Sequence, residues 1–300
     1  MIRIFDVIIV GGSYSGMAAA MALGRARRHV LIIDSGKPCN AQTPQSHNFL
    51  SRDGATPTEI AAIARQQVLR YPTINFFEGI AIKGIKTANG FEIQVASGET
   101  FVACKLVFAT GIHDLLPAVP GMAECWGISV LHCPFCHGYE VKDAKTGILG
   151  NGDAALSLAS LITNWTDDLT MFTNGPSYLT TEQNTKLRSH KINVIEKEIA
   201  RLEQYAGNLK EIVFKDGTLT PLKAAYVRSD FRQACQLPEM MGCKFTEDGY
   251  IQVDTFHQSS VPGVFACGDN INKIRTVANA VAAGTTTGMN ISKTLITAEF

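Results

Sequence analysis

Continuous apolar runs, each followed by glycine or an acidic residue, dominate the opening of the chain. Residues 7–10 run directly into a glycine-rich turn, and residues 30–33 end at Asp34. Unbroken runs of this length are typical of parallel strands that are buried on both faces. Between the two runs, the small residues of segment 17–23 predict the start of a helix. The pattern therefore predicts a strand, a turn, a helix and a second strand.

The turn between the first strand and the helix is Gly11-Gly12-Ser13-Tyr14-Ser15-Gly16. Its position predicts a dinucleotide-binding unit, in which the helix N-terminus faces a pyrophosphate and Asp34 reaches a ribose hydroxyl. Ser13 replaces the second glycine of the usual Gly-x-Gly-x-x-Gly pattern, although serine is small enough for a phosphate to approach. An ordinary strand-to-helix turn is the alternative, and the combination of strand, helix and terminal acid favours the dinucleotide unit.

Alternating apolar and polar residues follow, and the opening pattern then returns twice. Residues 74–102 predict an antiparallel meander packed on the first sheet, and residues 106–111 predict another buried strand. After Pro117 and Pro120-Gly121, a second strand-to-helix turn occupies residues 150–155, with its helix at 156–165 and a strand at 169–173. A second meander continues through Val194, Ile199 and residues 212–214. Finally, residues 261–269 predict a strand ending in Gly-Asp, followed by a helix at 275–290.

Composition narrows the class of protein. The 300 residues suggest about two domains, and 27 Lys and Arg residues balance 27 Asp and Glu residues, which argues against a nucleic-acid binder. No apolar run approaches the roughly 18 residues that a membrane helix needs. Residues 1–6 enter the first strand without the basic segment and cleavage site of a secretory signal, so we expect a cytoplasmic protein.

Two of the eight cysteines have the spacing of a redox pair. Cys133 and Cys136 form a Cys-x-x-Cys motif with His132 and His137 directly on either side. Thiols at this spacing can close and reopen a disulfide, and a nearby charge can hold one of them as thiolate. The other six cysteines are scattered, and we interpret them as small buried side chains.

Other interpretations of the cysteine motif stay open. The two cysteines and two histidines are four candidate zinc ligands, but they are too crowded in sequence to converge easily, and we expect no metal site. The pair could also be inert, or it could report the redox state of a flavin-binding sensor without turnover. Steady turnover with a dithiol or a disulfide would exclude the sensor.

The ordered set of motifs resembles the low-molecular-weight, thioredoxin-reductase-like family of flavoprotein disulfide oxidoreductases. The resemblance covers essentially the whole chain and rests on segments 11–16 with Asp34, 109–111, 133–136, 150–155 and 263–269. It implies an α/β fold of two nested Rossmann-like three-layer FAD/NAD(P)-binding domains, each with a parallel sheet and a small antiparallel meander. The implied FAD-binding domain is discontinuous, at 1–116 and 235–300, and the inserted NAD(P)-binding-like domain at 117–234 carries the cysteine pair.

The resemblance also implies which residues hold FAD. Gly11 and Gly16 would lie at the pyrophosphate, Asp34 on the adenosine ribose and Asp269 on the ribityl chain. Asn48 would lie beside the isoalloxazine, and the helix near Ala278 would direct its N-terminal dipole at the pyrimidine ring. The other implied FAD contacts are Gly12, Ser13, Tyr14, Ser15, Ala81, Thr110, Gly111 and Asn279, and those implied for a nicotinamide nucleotide are Gly150, Gly152 and Ala155.

The same resemblance assigns different roles to the two cysteines. Cys136 is the thiol that meets the flavin, and Cys133 is the one that exchanges with substrate. His137 stands where bacterial thioredoxin reductases carry an aspartate that donates a proton. Because imidazole titrates nearer to neutral pH than a carboxylate does, we hypothesise that His137 is the general acid/base.

The group that would select the nicotinamide nucleotide is absent from the sequence. Reductases of this family grip the 2′-phosphate of NADPH with a His-Arg-Arg cluster, whereas this chain has Thr173-Asn174-Gly175, with Leu179 in place of a further arginine. An acid typical of NAD sites is also missing, so NADPH, NADH or neither remains open. The combination resembles a subgroup that includes flavin dithiol oxidases, which pass electrons to oxygen.

The sequence leaves the substrate open between a thioredoxin-like protein and a small-molecule dithiol or disulfide. The resemblance further implies a homodimer and a rotating inserted domain. We place its hinges near residues 117–120 and 229–234.

Overall fold

The computed structural model describes residues 4–300, which divide into two compact units. The first unit contains the described residues up to Ala41, Asn48–His113 and Phe231–Phe300, and the second contains Gln42–His47 and Asp114–Asp230. The predicted domain boundaries place residues 42–47 in the first domain, whereas this segment groups with the second unit. Residues 1–3, on which the expectation about a signal segment partly rests, lie outside the described residues.

Single strands and runs of consecutive strands alternate with helices along the chain. Up to residue 115 they are β1 (Ile4–Val10), α1 (Tyr14–Arg25), β2 (Val30–Asp34), α2 (Pro57–Val68), β3 (Ile74–Glu78), β4 (Ala81–Thr87), β5 (Gly90–Val95), β6 (Thr100–Phe108) and β7 (Ile112–Leu115). The next elements are α3 (Met122–Cys125), β8 (Val130–Leu131), α4 (Pro134–His137), β9 (Thr146–Leu149), α5 (Gly152–Ile162), β10 (Leu169–Phe172), α6 (Thr181–Ser189) and β11 (Asn193–Ile195). The last are β12 (Ile199–Tyr205), β13 (Asn208–Phe214), β14 (Leu219–Pro221), β15 (Ala224–Val227), β16 (Asp230–Gln233), α7 (Leu237–Met240), β17 (Val264–Ala266) and α8 (Val277–Glu299).

A seven-stranded sheet forms the centre of the first unit. Its order is β3-β2-β1-β6-β5-β4, with β17 also pairing with β6. Strands β1, β2, β3, β6 and β17 run in parallel, while β4, β5 and β6 are antiparallel neighbours. Because side chains alternate along a strand, Ile8 and Val10 enter one core, and Val7 and Ile9 enter another with α1 and α8. The apolar run of β1 is therefore buried on both faces, as predicted.

The second unit repeats the arrangement with shorter elements. Its five-stranded sheet has the order β11-β10-β9-β15-β8, and every pair in it is parallel. A separate antiparallel sheet consists of β12, β13 and β14. Two buried clusters form the core of the second unit, one around Phe172 and Phe214 and one around Ile148 and Tyr226. The predicted fold class, two Rossmann-like α/β domains with parallel sheets and antiparallel strands, is confirmed.

Several details of the sequence prediction are wrong. Strand β3 does not belong to an antiparallel meander: Ile74 pairs in parallel with Val30, because α2 returns the chain to the edge of β2. Segments 100–102 and 106–108 form one continuous strand, β6, and the meander extends the main sheet instead of packing on it. Helix α5 begins at Gly152, directly at the turn, and α8 continues to Glu299.

The chain enters and leaves segment 114–230 of the second unit along two short strands. These are β7 and β16, which pair with each other as a two-stranded sheet. Strand β7 lies just before the predicted hinge near residues 117–120, and β16 lies within the one near residues 229–234. The rotation of the inserted domain stays a prediction. Within residues 4–300, no helix is both long and apolar enough to cross a membrane.

Candidate active site

The carboxyl ends of the parallel strands in the first unit meet at one edge of the sheet. Strand β1 ends before Gly11, β2 ends at Asp34, and β6 leads into Thr110-Gly111. Strand β17 leads into Gly268-Asp269 at the same edge, since it is parallel to β6. In α/β sheets this edge is where ligands bind.

Two glycines let the main chain pack closely at this edge. Gly11 has a φ of 104°, and a Cβ atom there would overlap the carbonyl group of Ala109. A Cβ atom at Gly16 would overlap the carbonyl oxygen of Gly11. Only glycine therefore fits at both positions, so the turn, the start of α1 and the end of β6 converge without side chains between them.

Asp34 is fixed to the turn that precedes α1. Its Oδ1 atom accepts a hydrogen bond of 2.9 Å from the main-chain N–H of Gly12. The N-cap residue of α1, Ser13, makes no side-chain capping bond, and the first turn of the helix has no acidic residue. The helix N-terminus is thus available to an anionic group, as a pyrophosphate requires.

Asn270 is a site residue that the sequence did not predict. It is fully buried, and its Nδ2 atom donates to the carbonyl oxygen of Phe108 at 2.9 Å and to Oγ1 of Thr110 at 3.4 Å. Among the described residues, its Oδ1 atom has no hydrogen-bond partner. A buried acceptor of this kind is costly unless a bound group donates to it. Together with the glycine cradle and the open helix N-terminus, it fits FAD.

Other predicted FAD contacts lie at or near the ends of these strands. Asp269 Oδ2 lies 3.8 Å from Nε of Arg275, so it has a cationic neighbour that sequence reasoning missed. Ala278 and Asn279 lie in the first turn of α8, where Thr276 caps the helix by accepting from the N–H of Asn279 at 3.1 Å.

Three more predicted contacts have structural partners of their own. The hydroxyl of Tyr14 donates to the carbonyl oxygen of Pro57 at 3.3 Å, and its ring is buried. Asn48 has a φ of 58°, and its N–H donates to Oδ1 of Asp53 at 2.7 Å. Ala81 begins β4, and its side chain is buried in the core. Their contacts with FAD stay predictions, and for Tyr14 and Ala81 such contacts would involve mainly the main chain.

The cysteine pair lies on a short helix of the second unit. Cys133 is the N-cap of α4, and it forms a disulfide with Cys136 across a Cα–Cα distance of 5.3 Å. Pro134 is buried, while the ring of Phe135 is exposed and meets Trp165 edge-on at 5.4 Å. The structure thus brings together the two sulfur atoms that the sequence singled out.

His137 follows Cys136 and is mostly buried in a charged neighbourhood. Burial lowers the pKa of its imidazole below the ordinary value, Glu140 raises it, and His47 lowers it further. The ring of His47 lies 6.4 Å from that of His137, almost perpendicular to it. His132 instead packs on Trp126 at 5.6 Å. His47 was missed because it lies far from the cysteines in sequence and belongs to no motif.

The second glycine turn is closed by its own side chains. Asn151, the N-cap of α5, accepts from the N–H groups of Gly152 at 2.9 Å and Tyr178 at 2.8 Å. Its Nδ2 atom donates to the carbonyl oxygen of Pro176 at 2.9 Å. Asp153 places a carboxylate in the first turn of α5, where a pyrophosphate would need positive potential. These features do not fit a nucleotide phosphate at Gly150, Gly152 and Ala155.

The stretch that would grip a 2′-phosphate is also internally bonded. Thr173 donates to the carbonyl oxygen of Gly175 at 2.6 Å, and Asn174 Oδ1 accepts from the N–H of Ile199 at 2.7 Å. Leu179 is buried in the core. Within residues 4–300, no group of three or more His, Cys, Asp and Glu side chains has an arrangement that could hold a metal ion.

Comparisons with known proteins agree with this geometry. A family model described as pyridine nucleotide-disulphide oxidoreductase matches residues 5–284. The thioredoxin reductase tcpT of Claviceps purpurea is 32% identical over 307 residues, which cover 98% of this chain and 95% of that protein. The solved structure of an oxidoreductase from Agrobacterium tumefaciens is 34% identical, with a TM-score of 0.92 over 98% of this chain and 99% of that one. TrxB of Bacillus anthracis is 28% identical, with a TM-score of 0.95 over 99% and 100% of the two chains.

Proposed function

This chain belongs to the pyridine nucleotide-disulphide oxidoreductase family and is a thioredoxin-reductase-like, flavin-dependent disulfide oxidoreductase; from that premise, we propose that it oxidises dithiols at Cys133–Cys136. The family implies FAD together with a pyridine nucleotide. The observation that supports oxidation over reduction is the second glycine turn, where Asn151 bonds to Pro176 and Tyr178. The proposed reaction therefore uses no nicotinamide.

The cysteine pair takes up the electrons in two exchanges. A substrate thiolate attacks Sγ of Cys133, the Cys133–Cys136 bond breaks, and Cys136 leaves as thiolate. The second substrate thiolate then attacks the substrate sulfur of the mixed disulfide and releases Cys133 as thiolate. The products are a substrate disulfide and a reduced cysteine pair, so two electrons have passed to the protein.

His137 assists these exchanges by accepting a proton from a substrate thiol. Its position directly after Cys136 and its lowered pKa support this role, because a neutral imidazole is the form that acts as a base. When bound at the edge of the first sheet, FAD would accept the electron pair from the cysteines, through Cys136 as the family resemblance implies. Molecular oxygen is the terminal oxidant that we propose, with hydrogen peroxide as its product.

A second candidate function is reduction of a disulfide by NADPH or NADH. The name of the Claviceps purpurea relative, thioredoxin reductase, favours it. In that direction Cys133 would attack a substrate disulfide, and the substrate would be a thioredoxin-like protein or a small molecule. In either direction we propose a homodimer, on resemblance alone, and a cytoplasmic location, because the disulfide at Cys133–Cys136 is the only one among the described cysteines.

Anaerobic flavin reduction separates the two directions. The purified yellow protein is mixed in turn with NADPH, NADH and dithiothreitol, and the visible flavin band is followed over time. We expect dithiothreitol to bleach the flavin and air to restore it, while neither nucleotide bleaches it at a comparable rate. Fast bleaching by either nucleotide would overturn the oxidase proposal in favour of the reductase.

A further inference from the structure

Residues Gln42–His47 pack with the second unit, although they lie within the first domain in sequence. The Nε2 atom of Gln42 donates to the main-chain carbonyl oxygens of Ala123, at 3.5 Å, and of Trp126. Ser46 is buried. These contacts hold the segment within the unit that carries the cysteine pair. They bring His47 next to Glu140, which follows that pair in sequence.

A close imidazole–carboxylate contact forms where this segment meets the residues after α4. Nε2 of His47 lies 3.4 Å from Oε1 of Glu140, with side chains that are 17% and 36% exposed. The His47 ring stands at 87° to the ring of His137, with 6.4 Å between the centroids. The imidazole that follows Cys136 therefore has a second imidazole on one side and a carboxylate paired to that second ring.

We propose that His47 and Glu140 are positioning residues for thiol-disulfide exchange, an opposed pair of charges that governs when His137 accepts a thiol proton. The inference rests on the proposed function, because it assigns a role in the same exchange. In that exchange the substrate disulfide forms and the Cys133–Cys136 bond breaks, so two electrons enter the cysteine pair. One thiol proton passes to His137 and the other to solvent.

The two partners act on His137 with opposite signs. The carboxylate of Glu140 attracts the proton and raises the pKa of His137, whereas His47 repels it and lowers that pKa, with Glu140 having the larger effect. Nε2 of His47 also lies 3.4 Å from Oε1 of Glu140, so the two partners of His137 contact each other. The pKa of His137 therefore depends on both residues, which shift it in opposite directions.

Other titratable groups among the described residues lie near this cluster. Tyr226 of β15 interacts with Glu140, and burial, followed by that carboxylate, raises the pKa of its phenol, so it stays neutral. The ammonium group of Lys142 lies 3.9 Å from the centre of the Tyr139 ring. Cys133 and Cys136 are uncharged while the disulfide is intact. His47 and Glu140 both shift the pKa of His137, so removal of either group should change the protonation of its imidazole.

The test compares pH profiles of holoenzyme variants. Glu140→Gln and His47→Gln are mixed anaerobically with dithiothreitol, and the rate of flavin bleaching is measured by stopped flow across the acid range. We expect the acid limb to move to lower pH in Glu140→Gln and to higher pH in His47→Gln, because the two groups shift the pKa of His137 in opposite directions. Glu124→Gln and His190→Gln are matched controls in the same unit, and their profiles should follow the wild type.

A second readout follows His137 without turnover. The imidazole resonances of the oxidised protein are titrated by NMR, and His137 is assigned by its loss in His137→Gln. We expect the pKa of His137 to fall in Glu140→Gln and to rise in His47→Gln. Unchanged values, or shifts in the same direction in both variants, would overturn the proposal. If dithiothreitol fails to bleach even the wild type at any pH, the proposed function fails, while the NMR titration still decides the role of the pair.

Discussion

The main-chain N–H of Gly12 donates a 2.9 Å hydrogen bond to Oδ1 of Asp34. The bond ties the turn after β1 to the end of β2, at the edge where the parallel strands converge. A Cβ atom at Gly12 would come within 2.8 Å of the Asp34 side chain, so the carboxylate lies directly against the main chain of the turn. The acid at the end of the second strand therefore shapes the turn in addition to its predicted contact with a ribose.

Asp34→Ala should purify with much less FAD than the wild type. The variant leaves the N–H of Gly12 without its acceptor and removes the proposed ribose contact. Loss of such a part-buried bond costs about 1–3 kcal/mol, which corresponds to a fall in affinity of about fivefold to a hundredfold. The ratio of flavin to protein absorbance after dialysis measures the effect.

Asp6→Ala is the matched control for that variant. Oδ2 of Asp6 accepts from the N–H of His29 at 2.7 Å, at the opposite end of the strands. It should lower the stability of the first unit without loss of flavin. If both variants lose FAD to the same extent, Asp34 acts through stability and has no specific part in the cofactor site.

Cys133→Ser and Cys136→Ser should each retain FAD and lose dithiol oxidation. The motif lies in the second unit, whereas the glycine cradle lies in the first, so removal of one sulfur leaves the cradle intact. Each variant lacks the disulfide that a thiolate attacks, and we expect turnover with dithiothreitol to fall at least a thousandfold, the order of loss seen when a nucleophile that acts as part of a unit is removed. Peroxide release during aerobic turnover is the measurement.

Cys104→Ser is the control for the cysteine variants, because Cys104 is exposed and lies on β6 of the first unit. Its turnover should equal that of the wild type. Retained turnover in both Cys133→Ser and Cys136→Ser would contradict the mechanism, because neither variant can form the disulfide that the substrate thiolate attacks.

The elements that the sequence predicted correctly depend on short-range patterns. The run before Gly11 and the turn up to Gly16 specify β1 and α1 within a few residues, because glycine and apolar residues act locally. The same holds for Cys133 and Cys136, whose spacing alone allows a disulfide on α4.

The features that the sequence did not predict depend on contacts between distant segments. Strand β3 has an alternating pattern that suits either kind of pairing, and the return of α2 to β2 decides in favour of parallel. His47 reaches Glu140 only because residues 42–47 pack with the second unit. The Nδ2 atom of Asn270 donates to Phe108 and Thr110, and this packing leaves its buried Oδ1 atom without a hydrogen-bond donor among the described residues. The sequence alone does not show which asparagine is buried in this way.

Folding stability should fall as the pH drops through the range below neutrality, and His257 should account for part of that fall. Burial lowers the pKa of His257, and its Nδ1 atom lies 2.8 Å from Oγ1 of Thr287. The unfolded chain binds the proton at a higher pH than the folded chain does, so stability is present above the unfolded pKa of about 6.5 and is lost as the pH falls.

His257→Asn should flatten this dependence, which urea midpoints at about pH 8 and about pH 5 would show. Asparagine tolerates the positive φ of 63° at this position, so the variant tests titration more than backbone strain. His190→Asn is the control, because this exposed histidine ends α6. An equal loss of stability at low pH in the wild type and in His257→Asn would contradict the assignment.

Asn151→Ala should leave dithiol oxidation unchanged and should not create a fast reaction with NADPH or NADH. The variant removes the acceptor for the N–H groups of Gly152 and Tyr178 and the donor to Pro176, so the turn opens. As an N-cap substitution it should cost the second unit about 0.5–2 kcal/mol, visible as a lower urea midpoint. Asn208→Ala, a substitution elsewhere in the same unit, should change neither the reaction with nucleotides nor the urea midpoint.

The opened turn still lacks what a nucleotide phosphate needs. The carboxylate of Asp153 remains in the first turn of α5, and residues 173–175 supply no cation. Stopped-flow bleaching of the flavin by each nucleotide is compared in the wild type and in Asn151→Ala. An acceleration of about tenfold or more would correspond to at least 1.4 kcal/mol released by removing one amide. Such a gain would mean that the side chain of Asn151 blocks a functional nucleotide site. It would contradict the dithiol oxidase proposal and support a nucleotide-dependent reductase.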